Sequence, residues 1–183
     1  MPTREEYAKQ PVPQRLQRLK RTPDDLAGAL RGRGDDVLSR RPGPKKWSAK
    51  EVVCHLRDIE ELFMLRFHQM LGTDEPTFLV LGEIPPEPER WGIEGRVGMP
   101  LSPDRWAEER QYLRNDATLA LSAFRNRREE TLALLGKLSS AQWQRGSIHV
   151  TLGRMTFEAW VALMAAHDDK HLDQLQRALD GQA

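Results

Sequence analysis

Six prolines fall between residues 72 and 103, at positions 76, 85, 86, 88, 100 and 103, with several glycines among them. Proline lacks a backbone N–H and fixes φ, so no helix or central strand crosses this stretch intact. The chain is therefore two helix-forming parts joined by a long irregular excursion. Excursions of this length inside compact domains commonly shape a site. Within it, the apolar run Phe78-Leu79-Val80-Leu81 and Trp91 are expected to lie back on the body.

Helical signals stand on both sides of the excursion. A first helix is expected to begin at Thr22-Pro23-Asp24-Asp25, with Thr22 as cap, Pro23 in the first turn and two acids at the positive end of the dipole. Leu16 and Leu19 belong to an earlier helical turn, and Gly32 and Gly34 close the helix. Arg41-Pro42-Gly43-Pro44 is a connection. Ser48-Ala49-Lys50-Glu51 is a capping box, with Trp47 and Val52 placed as the accompanying hydrophobic staple. The helix it opens runs to Leu71, and Gly72 ends it. At about 100° per residue, His55, Ile59, Leu62, Phe63, Arg66 and Met70 share one face, and His68 points to solvent.

Helical pattern resumes at Ser102-Pro103-Asp104 and continues to Leu138, as one helix or as two parted at Asn115-Asp116. Ser139 to Gly153 reads as a connection with a short extended piece at Ser147-Ile148-His149-Val150. The last helix spans Thr156 to about Leu179, with Trp160, Leu163, Met164, His167, His171, Gln174, Leu175 and Ala178 facing inward. Four principal helices, no convincing strand and one long crossover predict an all-α bundle. A single domain over residues 1–183 is expected, with residues 1–15 a loosely packed N-terminal extension.

A net charge of +1 gives no global attraction to nucleic acid or anionic lipid. The distribution is uneven: residues 1–50 carry thirteen Lys or Arg against six Asp or Glu, a basic segment read as solvated surface. Cys54 is the sole cysteine and has no partner for a disulfide, which suits a reducing compartment. Met1 to Glu6 lack the apolar core of a signal peptide, and no apolar run approaches the ~20 residues that span a bilayer. A soluble cytoplasmic protein, bound neither to membrane nor to nucleic acid, is expected.

The chemistry centres on three histidines. His167 and His171 stand four residues apart on an inward helix face, a spacing that rotates the second by about 40° and raises it about 6 Å, so both rings can meet one ion. His55 lies on the inward face of its own helix. Three imidazoles from two helices form a facial nitrogen set with open positions, suited to one zinc, nickel or ferrous ion. The same pattern is compatible with three hydrogen-bonded core histidines.

The segment Trp47-Ser48-Ala49-Lys50-Glu51-Val52-Val53-Cys54-His55-Leu56-Arg57-Asp58 resembles the second-helix signature of the DinB/YfiT-like superfamily. Its partner signature is matched by Gly153-Arg154-Met155-Thr156-Phe157 and by the run from His167 to Leu175. Phe124-Arg125-Asn126-Arg127-Arg128 is similar to the family's arginine-bearing third helix, and the resemblance extends from about Leu16 onward. It implies an up-and-down four-helix bundle with a long crossover loop between helices 2 and 3. It also implies a divalent metal held by His55, His167 and His171, and commonly a homodimer. Relatives include transferases and isomerases that use a low-molecular-weight thiol.

The resulting expectation is a metal-dependent enzyme acting on a small molecule, either a thiol-dependent S-transferase or a hydrolase. The competing expectation is a non-catalytic metal-binding or small-molecule-binding bundle. Asp58 and Asp168, at the edges of the two histidine faces, are candidates to orient an imidazole or accept a proton. Arg66 is a candidate anchor for an anionic substrate. Cys54 is expected to be a buried structural thiol, and His149, Asp169 and Asp173 to be surface residues.

Overall fold

Ser48 caps the longest helix as its sequence requires. Its hydroxyl accepts from Glu51 N and the Glu51 carboxylate accepts from Ser48 N, which opens α4 (Ala49–Gly72). The computed structural model describes residues 1–78, 103–150 and 152–182. The apolar residues 79–81 and Trp91 lie outside the described residues, as does Ser102. Phe78 is buried as expected.

The chain begins with α1 (Arg4–Ala8), α2 (Val12–Leu30) and the short α3 (Asp35–Leu38) before α4. After β1 (Thr77–Phe78) come α5 (Pro103–Glu109), a 3-10 turn (Tyr112–Arg114) and α6 (Ala117–Leu135). Then follow α7 (Ser140–Trp143), β2 (Gly146–His149), β3 (Gly153–Thr156) and α8 (Phe157–Leu179). The four long helices, α2, α4, α6 and α8, make a four-helix bundle in which α2 and α4 each pack on both α6 and α8. The third helical stretch is two helices, because Asn115 is extended and Asp116 caps α6 by accepting from Leu119 N at 2.8 Å. No helix among the described residues is long and apolar enough to cross a membrane.

Several expectations are corrected. Thr22-Pro23 does not start a helix, since α2 runs from Val12 straight through Pro23. Pro23 cannot donate to the carbonyl of Leu19, four residues back, and an unpaired buried carbonyl is costly. Arg128 of α6 removes that cost: its Nη1 donates to Leu19 O at 2.9 Å. Thr22 is fully buried, and its hydroxyl donates to Asp168 Oδ2 at 2.6 Å rather than capping.

The N-terminal residues are not loosely packed. Thr3 and Glu6 form a capping box for α1, and buried Tyr7 donates to Asp169 Oδ2 at 2.6 Å. Arg15 donates through Nη1 to Glu158 O at 2.7 Å, so α1 and the start of α2 are clamped to α8. Asp169 is accordingly a half-buried anchor that also accepts from Arg18 Nε at 2.6 Å, and not a surface acid.

The extended piece expected at 147–150 falls in a true strand, β2, although no convincing strand was expected. β2 and β3 pair antiparallel, Gly146 opposite Thr156, and β1 joins β2 in parallel with Phe78 opposite His149. Strands of two to four residues are too short to display a period-two pattern against a helical background. The sheet stays minor beside the bundle, and His149, expected at the surface, is buried in it.

At the bundle centre, Arg128 Nη1 donates to Asp168 Oδ2 at 2.6 Å and its Nη2 to Glu60 Oε2 at 2.8 Å. All three side chains are at most 2% exposed. Replacing one partner of a buried pair strands the other charge, typically at about 3–5 kcal/mol, whereas exposed pairs contribute about 1 kcal/mol or less. Arg128→Met is expected to destabilise by that larger amount in urea unfolding. Arg127→Ala, which breaks the exposed pairs with Glu61 and Glu130, should fall in the smaller range. Equal losses in the two variants would count against the central role of Arg128.

The two tyrosines of the chain offer a second check. Burial, then the hydrogen bond to Asp169, pushes the Tyr7 phenol up to about 12. Burial, then Asp58, pushes Tyr112 higher still. Both folded values exceed the ordinary value near about 10. Stability from these neutral phenols is therefore complete below the unfolded value and lost as pH rises through the folded one. Absorbance titration of the native protein should show no tyrosinate at pH ~10.5, and denaturant should release it.

Candidate metal centre

His55 stands in the second turn of α4, fixed by the Ser48 cap, and His167 and His171 stand one turn apart in the middle of α8. The packing of α4 on α8 turns the three rings toward one point. His55 Nε2 lies 3.3 Å from His167 Nε2. Ring centroids are 4.5 Å apart for His55 and His171 and 4.3 Å for His167 and His171. One nitrogen from each residue falls within 4.8 Å of the other two. Two nitrogens bound at about 2.0–2.1 Å around a tetrahedral ion are separated by about 3.3–3.4 Å, which is the spacing of the His55 and His167 nitrogens.

The electrostatics favour ligands over ion pairs. Burial, followed by the His171 charge, holds His55 well below its ordinary value, and burial does the same at His167. His171 is pushed down to about 4 by burial against the opposing hydrogen bond of Gln174, with Lys170 adding to the depression. All three rings are neutral at pH 7 and offer lone pairs, the state that metal binding requires. Between two neutral rings whose Nε2 atoms face each other at most one proton can be shared, while a cation uses both lone pairs. The donor set therefore fits a divalent ion.

Gln174, three residues beyond His171 on the same face, adds an orienting group. Its Oε1 lies 2.8 Å from His171 Nδ1. An amide oxygen only accepts, so Nδ1 carries the proton and Nε2 is left free as a ligand atom. Trp47 closes another side. Its ring is stacked on His171 at 18° and 6.5 Å and tilted over His55 at 4.9 Å. The expected Trp47 staple is thus also a wall of the site. A cavity of about 650 Å³ opens on the three histidines, with Trp47, Gln174, Pro42 and Pro103 among its walls.

The other candidates lie elsewhere. Asp58 accepts from Arg57 Nε (2.8 Å), Arg110 Nη1 (2.7 Å) and Tyr112 Oη (2.7 Å). Asp168 is held by Thr22 and Arg128. Neither carboxylate bonds an imidazole, which corrects their expected role as orienting groups; Gln174 fills it. Arg66 is eleven residues beyond His55, about 16 Å along the helix. It is buried over the rings of Phe78 and Trp160, so it is no anchor beside the histidines. His149 accepts from Leu152 N through Nδ1 at 3.2 Å and meets the Trp160 ring edge at 5.6 Å. Cys54 is a buried free thiol, pushed up to about 11 by desolvation, as expected of a structural residue. His68 is exposed.

No curated protein matches the chain in sequence. A solved structure described as "YfiT from Bacillus subtilis is a probable metal-dependent hydrolase with an unusual four-helix bundle topology" superposes with a TM-score of 0.75 at 20% identity. That match covers 100% of this chain and 92% of the other. At that identity the likeness establishes a shared fold. The sequence profile described as the DinB superfamily matches residues 18–175, a span that holds all four bundle helices and all three histidines almost from end to end, and the chain belongs to the DinB superfamily.

Proposed function

We propose that the chain is a metal-dependent enzyme that acts on a small molecule, with His55, His167 and His171 as the ligands of one divalent ion. The observation that carries this reading is the convergence of three neutral imidazoles at the floor of an open cavity of about 650 Å³. Three ligands on one side leave the cavity side for substrate, the pattern of catalytic rather than structural sites. The description of the Bacillus subtilis relative as a probable metal-dependent hydrolase supports it. A divalent ion there supplies Lewis-acid chemistry, polarising a substrate oxygen and lowering the pKa of a nucleophile. A hydrolase uses water as that nucleophile and an S-transferase uses a thiol. Zinc, nickel and ferrous iron all suit three imidazoles.

This chain's own residues supply binding and exclusion. Gln174 sets the His171 tautomer, Trp47 shields two rings from solvent, and the cavity holds the reactant against them. One observation favours a binding module instead. Asp58 and Asp168 are committed to arginines and hydroxyls, so neither is free as a general base.

Metal analysis of the purified protein should find one divalent ion per chain. Gln174→Ala should weaken metal affinity by about 10–100-fold, the range for an outer partner of a ligand, and His55→Ala or His171→Ala by more than that. Normal metal content in His171→Ala would reject the site. Metal-loaded protein should then turn over activated esters, or couple a thiol to an electrophile, with the activity lost in His55→Ala. A fully loaded protein inert in both assays would favour the binding module.

A further inference from the structure

The basic N-terminal segment meets the histidine cavity at one place. Lys45 and Lys46, just before Trp47, line it from the connection into α4. Lys170, between the two histidines of α8, lines it from the other side, and Arg177 stands farther along the same helix. All four are exposed. Arg177 is paired with Asp173. No salt bridge among the described residues engages Lys45, Lys46 or Lys170. Asp104, at the start of α5, is the single carboxylate among the described lining residues.

The ligand set adds to this imbalance. Three neutral imidazoles leave the charge of a divalent ion without a carboxylate ligand, because the nearby acids are engaged elsewhere: Asp168 with Arg128, Asp58 with Arg57 and Arg110. Like charges gathered around a concave, partly apolar site focus a positive potential into it.

We propose that the substrate of this cavity is a small organic anion whose oxyacid group, a carboxylate or phosphate, rests on Lys45, Lys46 and Lys170 while its reacting end faces the three histidines. The proposal rests on the metal-site reading and names the class of molecule that the site selects. Flexible lysines provide point charges for such a group without the fixed planar fit of arginine, so recognition is by charge more than by shape.

The test uses the cobalt-loaded full-length protein and two probes alike in size, succinic monohydroxamic acid and its terminal amide. Each hydroxamate can chelate the cobalt, and only the first carries an anionic tail. Binding is read from the visible cobalt spectrum at low and high salt. The acid should bind about tenfold more tightly than the amide at low salt, with the preference shrinking as salt screens it. The Lys46→Gln/Lys170→Gln protein should lose most of that preference, with cobalt content and amide affinity unchanged. Both residues are exposed, so the variant retains its fold.

Equal affinity for acid and amide in normally loaded protein would overturn the proposal and leave the metal site standing. Failure to take up cobalt would instead reject the metal reading. The anion proposal is then decided on the metal-free protein by calorimetry with succinate and inorganic phosphate. Binding of either that disappears in the double variant supports it, and binding of neither overturns it.

Discussion

The guanidinium of Arg128 is the point on which the bundle closes. From α6 it donates to Leu19 O of α2, to Glu60 of α4 and to Asp168 of α8, so one side chain touches all three other long helices. Two carboxylates share one cation, and Thr22 donates to Asp168 to spread the excess negative charge. Such buried networks are weak sources of net stability, because desolvation offsets much of the attraction. Their geometric content is stronger. Each partner can sit in only one place, and a helix that slid or rotated would abandon a charge in the core.

That restriction reaches the histidines directly. His167 is the residue before Asp168, and His55 is five residues before Glu60 on α4. Fixing Asp168 and Glu60 on the same arginine sets the rotation and height of α8 against α4, and with them the 3.3 Å approach of His55 to His167. Gathering three imidazole nitrogens around one point is unfavourable without such a constraint, since apolar packing alone would splay them apart. Tyr7 and Arg18 hold the next residue, Asp169, from the other side. Asp168 is thus gripped from α6 and α2 and Asp169 from α1 and α2, and the histidines on either side of the pair have little freedom to turn.

Local chemistry was legible in the sequence and distant compensation was not. The Ser48 box, the end of α4 at Gly72, the Thr156 cap and the inward histidines all depend on residues within a turn or two of one another. Pro23 was misleading because the group that makes it tolerable inside α2 comes from residue 128, more than a hundred positions away. For the same reason Asp168 and Asp169 read as edge and surface acids, when each is paired across the bundle. Gln174 could have been found: a histidine with an amide three residues later on the same face is within reach at helical spacing. Of the three short strands, β2 was legible as the extended piece at 147–150, whereas β1 and β3 gave too few residues for any period to show.

The division of acids between the two polar centres bears on chemistry as well as on folding. Had Asp58 or Asp168 been free to face the histidines, the site would carry its own negative charge and a bound dication would be partly neutralised. Instead arginines from α4, α6 and the segment before the 3-10 turn take up both carboxylates. The centre is left with nitrogen donors, an indole wall and lysines at its rim. In a medium of lower effective dielectric than water, uncompensated positive charge is expensive until an anion arrives. The network that aligns the imidazoles therefore also keeps the site electron-poor, so the structural and chemical roles of the core charges are one arrangement seen from two sides.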